Sequence, residues 1–256
     1  MTGRGPDPRA QLGKTGDAHM QKKEAAGKKQ AAPRKWWKGW RRWVLWGVAG
    51  IAGFYTLLIL LFSFANPPTN FYQISESRRL GAIRQDWVDL EQIAPVMGRS
   101  AVAAEDANFC NHWGFDMEAI RQVIARQSRR GASTISQQVV KNVFLWPGRS
   151  WLRKAMEAAL TPGIELFWSK QRILEVYLNV AEFDEGVFGV EAAARHYFGV
   201  PASGLSAVQA ARLAAILPDP KNRSASRPTE FVRKRTRQIM SGAETIKADG
   251  RAACFE

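Results

Sequence analysis

The stretch from Trp43 to Ala65 restricts this chain more than any other, because none of its 23 residues carries a charge. About 20 apolar residues suffice to cross a bilayer. A helix is the single-segment structure that satisfies its own backbone polar groups in lipid. The sequence therefore predicts one transmembrane helix over 43–65. A cleaved signal peptide is disfavoured by the long preceding tail and the lack of a small-x-small cleavage site. A buried core helix is the other alternative.

The basic residues are concentrated ahead of this helix. Residues 1–42 contain 12 Lys or Arg and 3 Asp or Glu, so they carry +9 of the formal net charge of +14. By the positive-inside rule this tail is cytoplasmic and the chain after Asn66 faces outward. The tail is also rich in Gly, Ala, Lys and Gln, which predicts a basic disordered segment. Because the remainder carries only +5, a nucleic-acid partner is not expected.

The sequence over residues 66–240 predicts one mainly α-helical domain. Thr134 with Gln137, and Ser206 with Gln209, have the spacing of capping boxes that begin helices, and alternating β-branched residues are almost absent. Residues 70–100 are interpreted as a linker, and a helix over about 151–160 is expected to stop near Pro162. Residues 241–256 are interpreted as a C-terminal tail. Cys110 and Cys254 lie far apart and are taken as unpaired, since two cysteines do not define a disulfide framework; pairing in an oxidising compartment is the alternative.

Two short segments carry candidate chemistry. Glu105 and Asp106 form an acidic pair, and a predicted helix starting at Thr134 presents Gln138 and Lys141 on one face. A carboxylate near a helix N-terminus and a lysine suits an anionic substrate. A solvated acidic turn and a capped surface helix are the structural alternatives. Ser133 lies at the mouth of the same helix.

A third segment adds a second glutamate and further cations. Arg153, Lys154 and Glu157 lie one turn apart on a predicted helix, and Arg149 precedes it; ordinary surface ion pairs would look the same. Two carboxylates suggest glycoside hydrolysis, but that chemistry needs one of them protonated. The neighbouring cations favour ionised carboxylates and suit a pyrophosphate leaving group. An ionised glutamate then acts as general base on a sugar hydroxyl.

Five ordered segments carry a resemblance to a known family: EDANFCNHWG at 105–114, GASTISQQVVKN at 131–142, RKAMEA at 153–158, KQRILEVYLN at 170–179 and GVEAAARHYFG at 189–199. They resemble the motifs of the bacterial peptidoglycan glycosyltransferases, which also form the N-terminal half of class A penicillin-binding proteins. With no transpeptidase half, the resemblance is to the monofunctional form. It implies a lysozyme-like, two-lobed helical domain that polymerises lipid II with inversion, forming β-1,4 links and releasing undecaprenyl pyrophosphate.

The resemblance also implies individual roles. Glu105 matches the general base and Glu157 the second catalytic glutamate. The donor-phosphate contacts are Lys141, Arg149 and Lys154, with Arg153 beside them, while Ser133 and Gln138 line the donor site. No cofactor is required; a divalent cation, Mg²⁺ or Mn²⁺, is a candidate at the pyrophosphate, with Asp106 as a weak candidate ligand.

The expected partners are lipid II, the growing glycan chain, membrane lipid and penicillin-binding or division proteins. The expected location is the bacterial inner membrane, with the catalytic domain in the periplasm. A membrane-anchored lytic glycosidase of related fold, acting on finished peptidoglycan, is the alternative enzyme. A basic membrane-tethered scaffold is the non-enzymatic alternative.

Overall fold

The computed structural model describes residues 1–3, 36–125 and 133–256. Residues 4–35 of the predicted disordered tail 1–42 are outside the described residues, whereas residues 36–42 are helical. The described part contains ten α-helices, which confirms the mainly α fold. They are α1 Trp36–Phe62, α2 Phe71–Leu80, α3 Pro95–Glu105, α4 Met117–Ala125, α5 Ile135–Phe144, α6 Trp151–Phe167, α7 Lys170–Val180, α8 Val190–Phe198, α9 Ala207–Ile216 and α10 Glu230–Ala248.

Helix α1 contains the uncharged stretch. Its segment Trp40–Phe62 is long and apolar enough to cross a membrane. Large apolar side chains along it are exposed, including Trp43, Leu45 and Phe54. Exposed apolar side chains over such a length are those expected of a helix surrounded by lipid rather than by protein. The structure therefore confirms one candidate membrane span.

Residues 52–256 form one compact unit, to which the last turns of α1 belong. The Trp168 indole N–H donates to the Ile59 carbonyl at 2.7 Å. The Arg172 guanidinium donates to the carbonyls of Phe62 at 3.1 Å and Ala65 at 2.7 Å. The Phe62 carbonyl is the last of the helix and has no partner within it, and Ala65 follows in the turn after it. The C-terminal end of α1 is thus held by Arg172 of helix α7.

The predicted linker over 70–100 is wrong, since two helices occupy most of it. Asn70 forms a capping box with Gln73 and begins α2. Helix α3 buries residues on nearly every side, among them Met97, Ala101 and Val102. A small helix buried all round lacks the polar stripe that reveals amphipathic helices in a sequence.

Helix α6 does not stop at Pro162 but continues to Phe167. A proline inside a helix removes one backbone hydrogen bond. The buried residues Ile164 and Glu165 hold the last turns against the domain. Tertiary packing therefore overrides the local stop signal.

A three-stranded sheet was not predicted. Strands β1 Arg84–Gln85, β2 Glu182–Asp184 and β3 Val187–Phe188 lie in the order β1–β3–β2. β1 pairs in parallel with β3, Arg84 opposite Val187, whereas β2 pairs antiparallel with it. The strands are too short to give an alternating sequence pattern.

The C-terminal segment packs on the domain. Helix α10 continues past residue 240 to Ala248, and Phe255 is buried. Cys110 and Cys254 form a disulfide with their Cα atoms 5.7 Å apart, so the prediction of two unpaired cysteines is wrong. The cause is tertiary: the Phe255 ring packs 6.3 Å from that of Phe109 and brings the chain end to Cys110.

Packing among the helices positions the site. Helices α3, α9 and α10 pack against one another, and α5 packs between α6 and α7. The Gln138 side chain on α5 bonds Glu105 at the C-terminal end of α3, so the two groups of helices meet at the site.

Candidate active site

Glu105 is the last residue of α3 and is half-buried. The Gln138 side-chain amide on α5 donates to Glu105 Oε2 at 2.9 Å. Burial raises the pKa of Glu105, while the Gln138 hydrogen bond and the positive charges of Arg235 and Lys141 oppose that rise. The expectation that the cations set the ionisation of this carboxylate is therefore incomplete, because the effect of burial on its pKa is larger than theirs. The carboxylate is therefore a stronger base than an ordinary glutamate.

The Asp106 carboxylate connects the acidic segment to helix α5. Its Oδ1 lies 2.8 Å from His112 Nε2, and its Oδ2 accepts the Ile135 backbone N–H at 3.0 Å. Ile135 is the first residue of α5, where backbone N–H groups have no partner within the helix. A carboxylate also complements the positive end of the helix dipole.

The remaining contacts of this loop fix the same geometry. The Thr134 hydroxyl donates to the Gly114 carbonyl at 2.7 Å, and Thr134 forms the predicted capping box with Gln137. Glu105 and Gln138 are therefore held at a set separation by a hydrogen-bonded frame.

The donor set does not fit a resident divalent cation. Both oxygens of Asp106 already have partners within the protein. In residues 1–3, 36–125 and 133–256 no group of three or more His, Cys, Asp or Glu side chains could hold a metal ion. Asp106 thus has a structural function in the loop, and we assign no step of the chemistry to a metal.

Glu157 is the second predicted glutamate and lies buried on α6. Its Oε1 is paired with Lys154 Nζ, and Arg153 Nη1 lies 4.0 Å from its Oε2. Lys154 Nζ also donates to Ser133 Oγ at 3.3 Å. The predicted cluster on one helix surface is present, and it extends to the segment before α5.

The Lys141 ammonium group interacts with the negative charges of both glutamates, Glu105 and Glu157. Burial lowers the pKa of its ammonium group, and the negative charges of Glu157 and Glu105 oppose this shift. Lys141 lines a cavity of about 400 Å³ together with Arg149 and Arg153. Three cationic side chains thus converge on one cavity, which is the arrangement that an anionic leaving group requires.

The cation cluster and Glu105 line two cavities that share Gln138. Glu105 lines a second cavity of about 610 Å³ with Ser133 and residues of α10. Gln138 lines both cavities. The Gln138 side chain therefore lies between the Glu105 carboxylate, to which it donates a hydrogen bond, and the cavity of the cation cluster.

Comparison with known proteins decides the family. A family model described as Transglycosylase matches residues 73–244, which is more than half of the chain. The chain belongs to the transglycosylase family. It is 60% identical over 197 residues to the biosynthetic peptidoglycan transglycosylase of Jannaschia sp. (strain CCS1), covering 77% of this chain and 82% of that protein. It is 48% identical over 205 residues to the protein of the same name in Pectobacterium carotovorum subsp. carotovorum (strain PC1), covering 75% and 83% respectively.

Membership makes this transglycosylase a peptidoglycan glycosyltransferase, as the motifs indicated. The matched range contains every predicted site residue from Glu105 to Glu157. It also contains most of α10, whose Arg235 and Lys234 line the Glu105 cavity. Both side chains lie outside the five motifs, so the resemblance assigned them no function.

A buried polar chain behind the transglycosylase site was also missed. The Ser136 hydroxyl is hydrogen-bonded to Glu165, whose Oε1 accepts Lys170 Nζ at 2.9 Å. Lys170 Nζ also donates to the His112 carbonyl at 2.9 Å. This chain connects α5, α6 and α7 to the Asp106–His112 loop. Ser136, Lys170 and His112 belong to the quoted motifs, whereas Glu165 lies outside them, and the spacing of these residues does not reveal that they meet.

Apolar side chains are exposed around the site. Trp151 is 91% exposed and Trp146 is 36% exposed. Trp151 is therefore a surface residue and not a core aromatic. The apolar stripe of α4 is also open, since Met117 is 54% and Ile124 is 71% exposed.

Proposed function

We propose that this transglycosylase polymerises lipid II, with the growing glycan as donor and lipid II as acceptor. The observation that carries the proposal is the half-buried Glu105 carboxylate, which is hydrogen-bonded by Gln138 and adjacent to a cavity with three converging cations. The names of the relatives, which describe biosynthetic enzymes, support synthesis rather than degradation.

Glu105 acts as the general base in this scheme. It removes the proton of the acceptor GlcNAc 4-hydroxyl, whose oxygen attacks the anomeric carbon of the donor. The bond from that carbon to the diphosphate breaks with inversion, which gives a β-1,4 link and undecaprenyl pyrophosphate. The raised pKa of Glu105 suits proton abstraction near neutral pH.

The cations stabilise the departing diphosphate. Lys141, Arg149 and Arg153 share one cavity, where charge–charge interactions are stronger than in bulk water. Glu157 holds Lys154 and faces Arg153, so we assign it the orientation of these cations. A diphosphate is already a good leaving group, and it needs charge stabilisation more than protonation.

The substrate is lipid-borne, and the exposed apolar surface fits this. We propose that α1 anchors the chain in the inner membrane with its N-terminus in the cytoplasm, because residues 1–42 hold 12 basic residues. Trp151 and the open stripe of α4 then rest among lipid headgroups. A site next to the bilayer surface can bind the diphosphate of a lipid while the lipid chain stays in the membrane.

The test uses the purified full chain in detergent with two substrates in parallel. Lipid II is expected to give glycan strands resolved on a gel, and finished peptidoglycan is expected to give no soluble fragments. The opposite result would establish a lytic glycosidase. Replacement Lys141→Gln is expected to lower polymerisation on the order of 100-fold, as for loss of one stabilising group in a transition state. Replacement Arg195→Gln is the control, since Arg195 is largely exposed and paired with Glu191.

A further inference from the structure

Helix α10 places one arginine against the residue before the proposed general base. Arg235 Nη2 donates to the Ala104 carbonyl at 2.9 Å, and Ala104 precedes Glu105 at the end of α3. Carbonyls in the last turn of a helix have no partner within it, and arginine is well suited to bind them. Arg235 is half-buried and lines the cavity that contains Glu105.

The charge of Arg235 is not neutralised by a nearby acid. Within residues 36–125 and 133–256, no carboxylate lies within 4.0 Å of its guanidinium, whereas Arg233 and Arg237 on the same helix both pair with Glu230. Arg235 therefore differs from its neighbours: its guanidinium is bound by a neutral carbonyl, and its positive charge remains available to Glu105.

Other charged groups also act on Glu105, and they must be weighed. Asp106 opposes ionisation of Glu105, while Arg235 on α10 and Lys141 on α5 favour it. Lys141 also interacts with Glu157. The buried Tyr177 hydroxyl on α7 stays protonated because burial raises its pKa well above the ordinary value. Arg223 and Lys234 complete the charged lining of the cavity.

We propose that Arg235 is a positioning residue for the transfer reaction: it fixes the end of α3 and keeps the Glu105 carboxylate ionised for proton abstraction. The proposal rests on the proposed function of Glu105. It extends the reaction machinery to the C-terminal helix, beyond the five segments that carried the resemblance. The structural basis is one side chain that contacts the backbone carbonyl of the residue before the base and lines the cavity that contains the carboxylate.

The test is the pH profile of kcat/KM for polymerisation by the full chain, for wild type and Arg235→Gln. Loss of one adjacent positive charge is expected to move the acidic limb upward by about one pH unit. The rate on the acid side of the profile then falls about tenfold, and the alkaline plateau is kept. Arg235→Lys keeps the positive charge, so the acidic limb of its pH profile is expected to lie at the wild-type pH. Arg237→Gln is the matched control on the same helix.

The outcomes separate this proposal from the one it rests on. A uniform loss of rate at every pH in Arg235→Gln, with an unmoved limb, would overturn it in favour of a purely structural role. If Arg235→Gln does not fold, Arg235→Met replaces it, because methionine keeps part of the aliphatic stem. Absence of polymer with the wild-type chain would instead refute the proposed function.

Discussion

Replacing Asp106 by asparagine tests whether this carboxylate has a structural role or is a metal ligand. The side chain accepts one hydrogen bond from the Ile135 backbone N–H and lies 2.8 Å from His112 Nε2. Asparagine is nearly isosteric, but it has only one acceptor oxygen. Either the helix α5 N-terminus or His112 must therefore face an amide group.

The expected loss follows from those two contacts. A hydrogen bond to a charged group contributes about 1.5–3 kcal/mol, and a charge at a helix N-terminus adds about 0.5–1 kcal/mol. Since asparagine keeps one bond, we expect the free energy of unfolding to fall by about 2–3 kcal/mol. For a domain of this size that corresponds to a decrease in Tm of roughly 5–10 °C.

Thermal unfolding in detergent without divalent metal measures this effect. Asp89→Asn is the control, because Asp89 is exposed and its side chain caps nothing. We expect Asp106→Asn, but not the control, to lower the Tm. The polymerisation rate should also fall, because a shift of the α5 N-terminus displaces Gln138 from Glu105. A wild-type Tm combined with a lost response to added Mg²⁺ or Mn²⁺ would refute the structural role and support a metal ligand.

Two further substitutions test the packing around the site and the disulfide. Gly114→Ala should lower the free energy of unfolding by more than about 2 kcal/mol, since the φ of Gly114 is +79° and a Cβ would lie 2.4 Å from Thr161. Gly199→Ala is the control: its φ is +68° with open space around it, so the free energy of unfolding should fall by only about 1 kcal/mol. Equal Tm values for the two variants would contradict the close approach. Cys254→Ser removes a link across 144 residues of sequence and should lower stability by up to about 4 kcal/mol, matching reduced wild type. Two free thiols in the oxidised wild-type chain would contradict the disulfide.

The sequence predicted those parts of the site that depend on local spacing. The Thr134–Gln137 capping box, the face shared by Gln138 and Lys141, and the Glu157 cluster arise within one or two helical turns. Short-range geometry of this kind follows from the helical repeat alone. The uncharged length of α1 likewise follows directly from composition.

The parts that were missed depend on contacts between distant segments. Arg235 meets Ala104 from 131 positions away, and Cys254 meets Cys110 from 144. No local pattern specifies such contacts, because the packing of α10 on α3 creates them. Helix α3 was mistaken for a linker for a related reason, since burial on all sides leaves no amphipathic stripe.

The most direct test of the account is polymerisation of purified lipid II by Glu105→Gln, compared with wild type at equal protein and detergent concentrations. The change is nearly isosteric, and glutamine can still bond Gln138, so the Tm should stay close to that of wild type. The account predicts a folded variant that makes no glycan strands above background on a gel. Strand formation at a rate near that of wild type would contradict Glu105 as the general base.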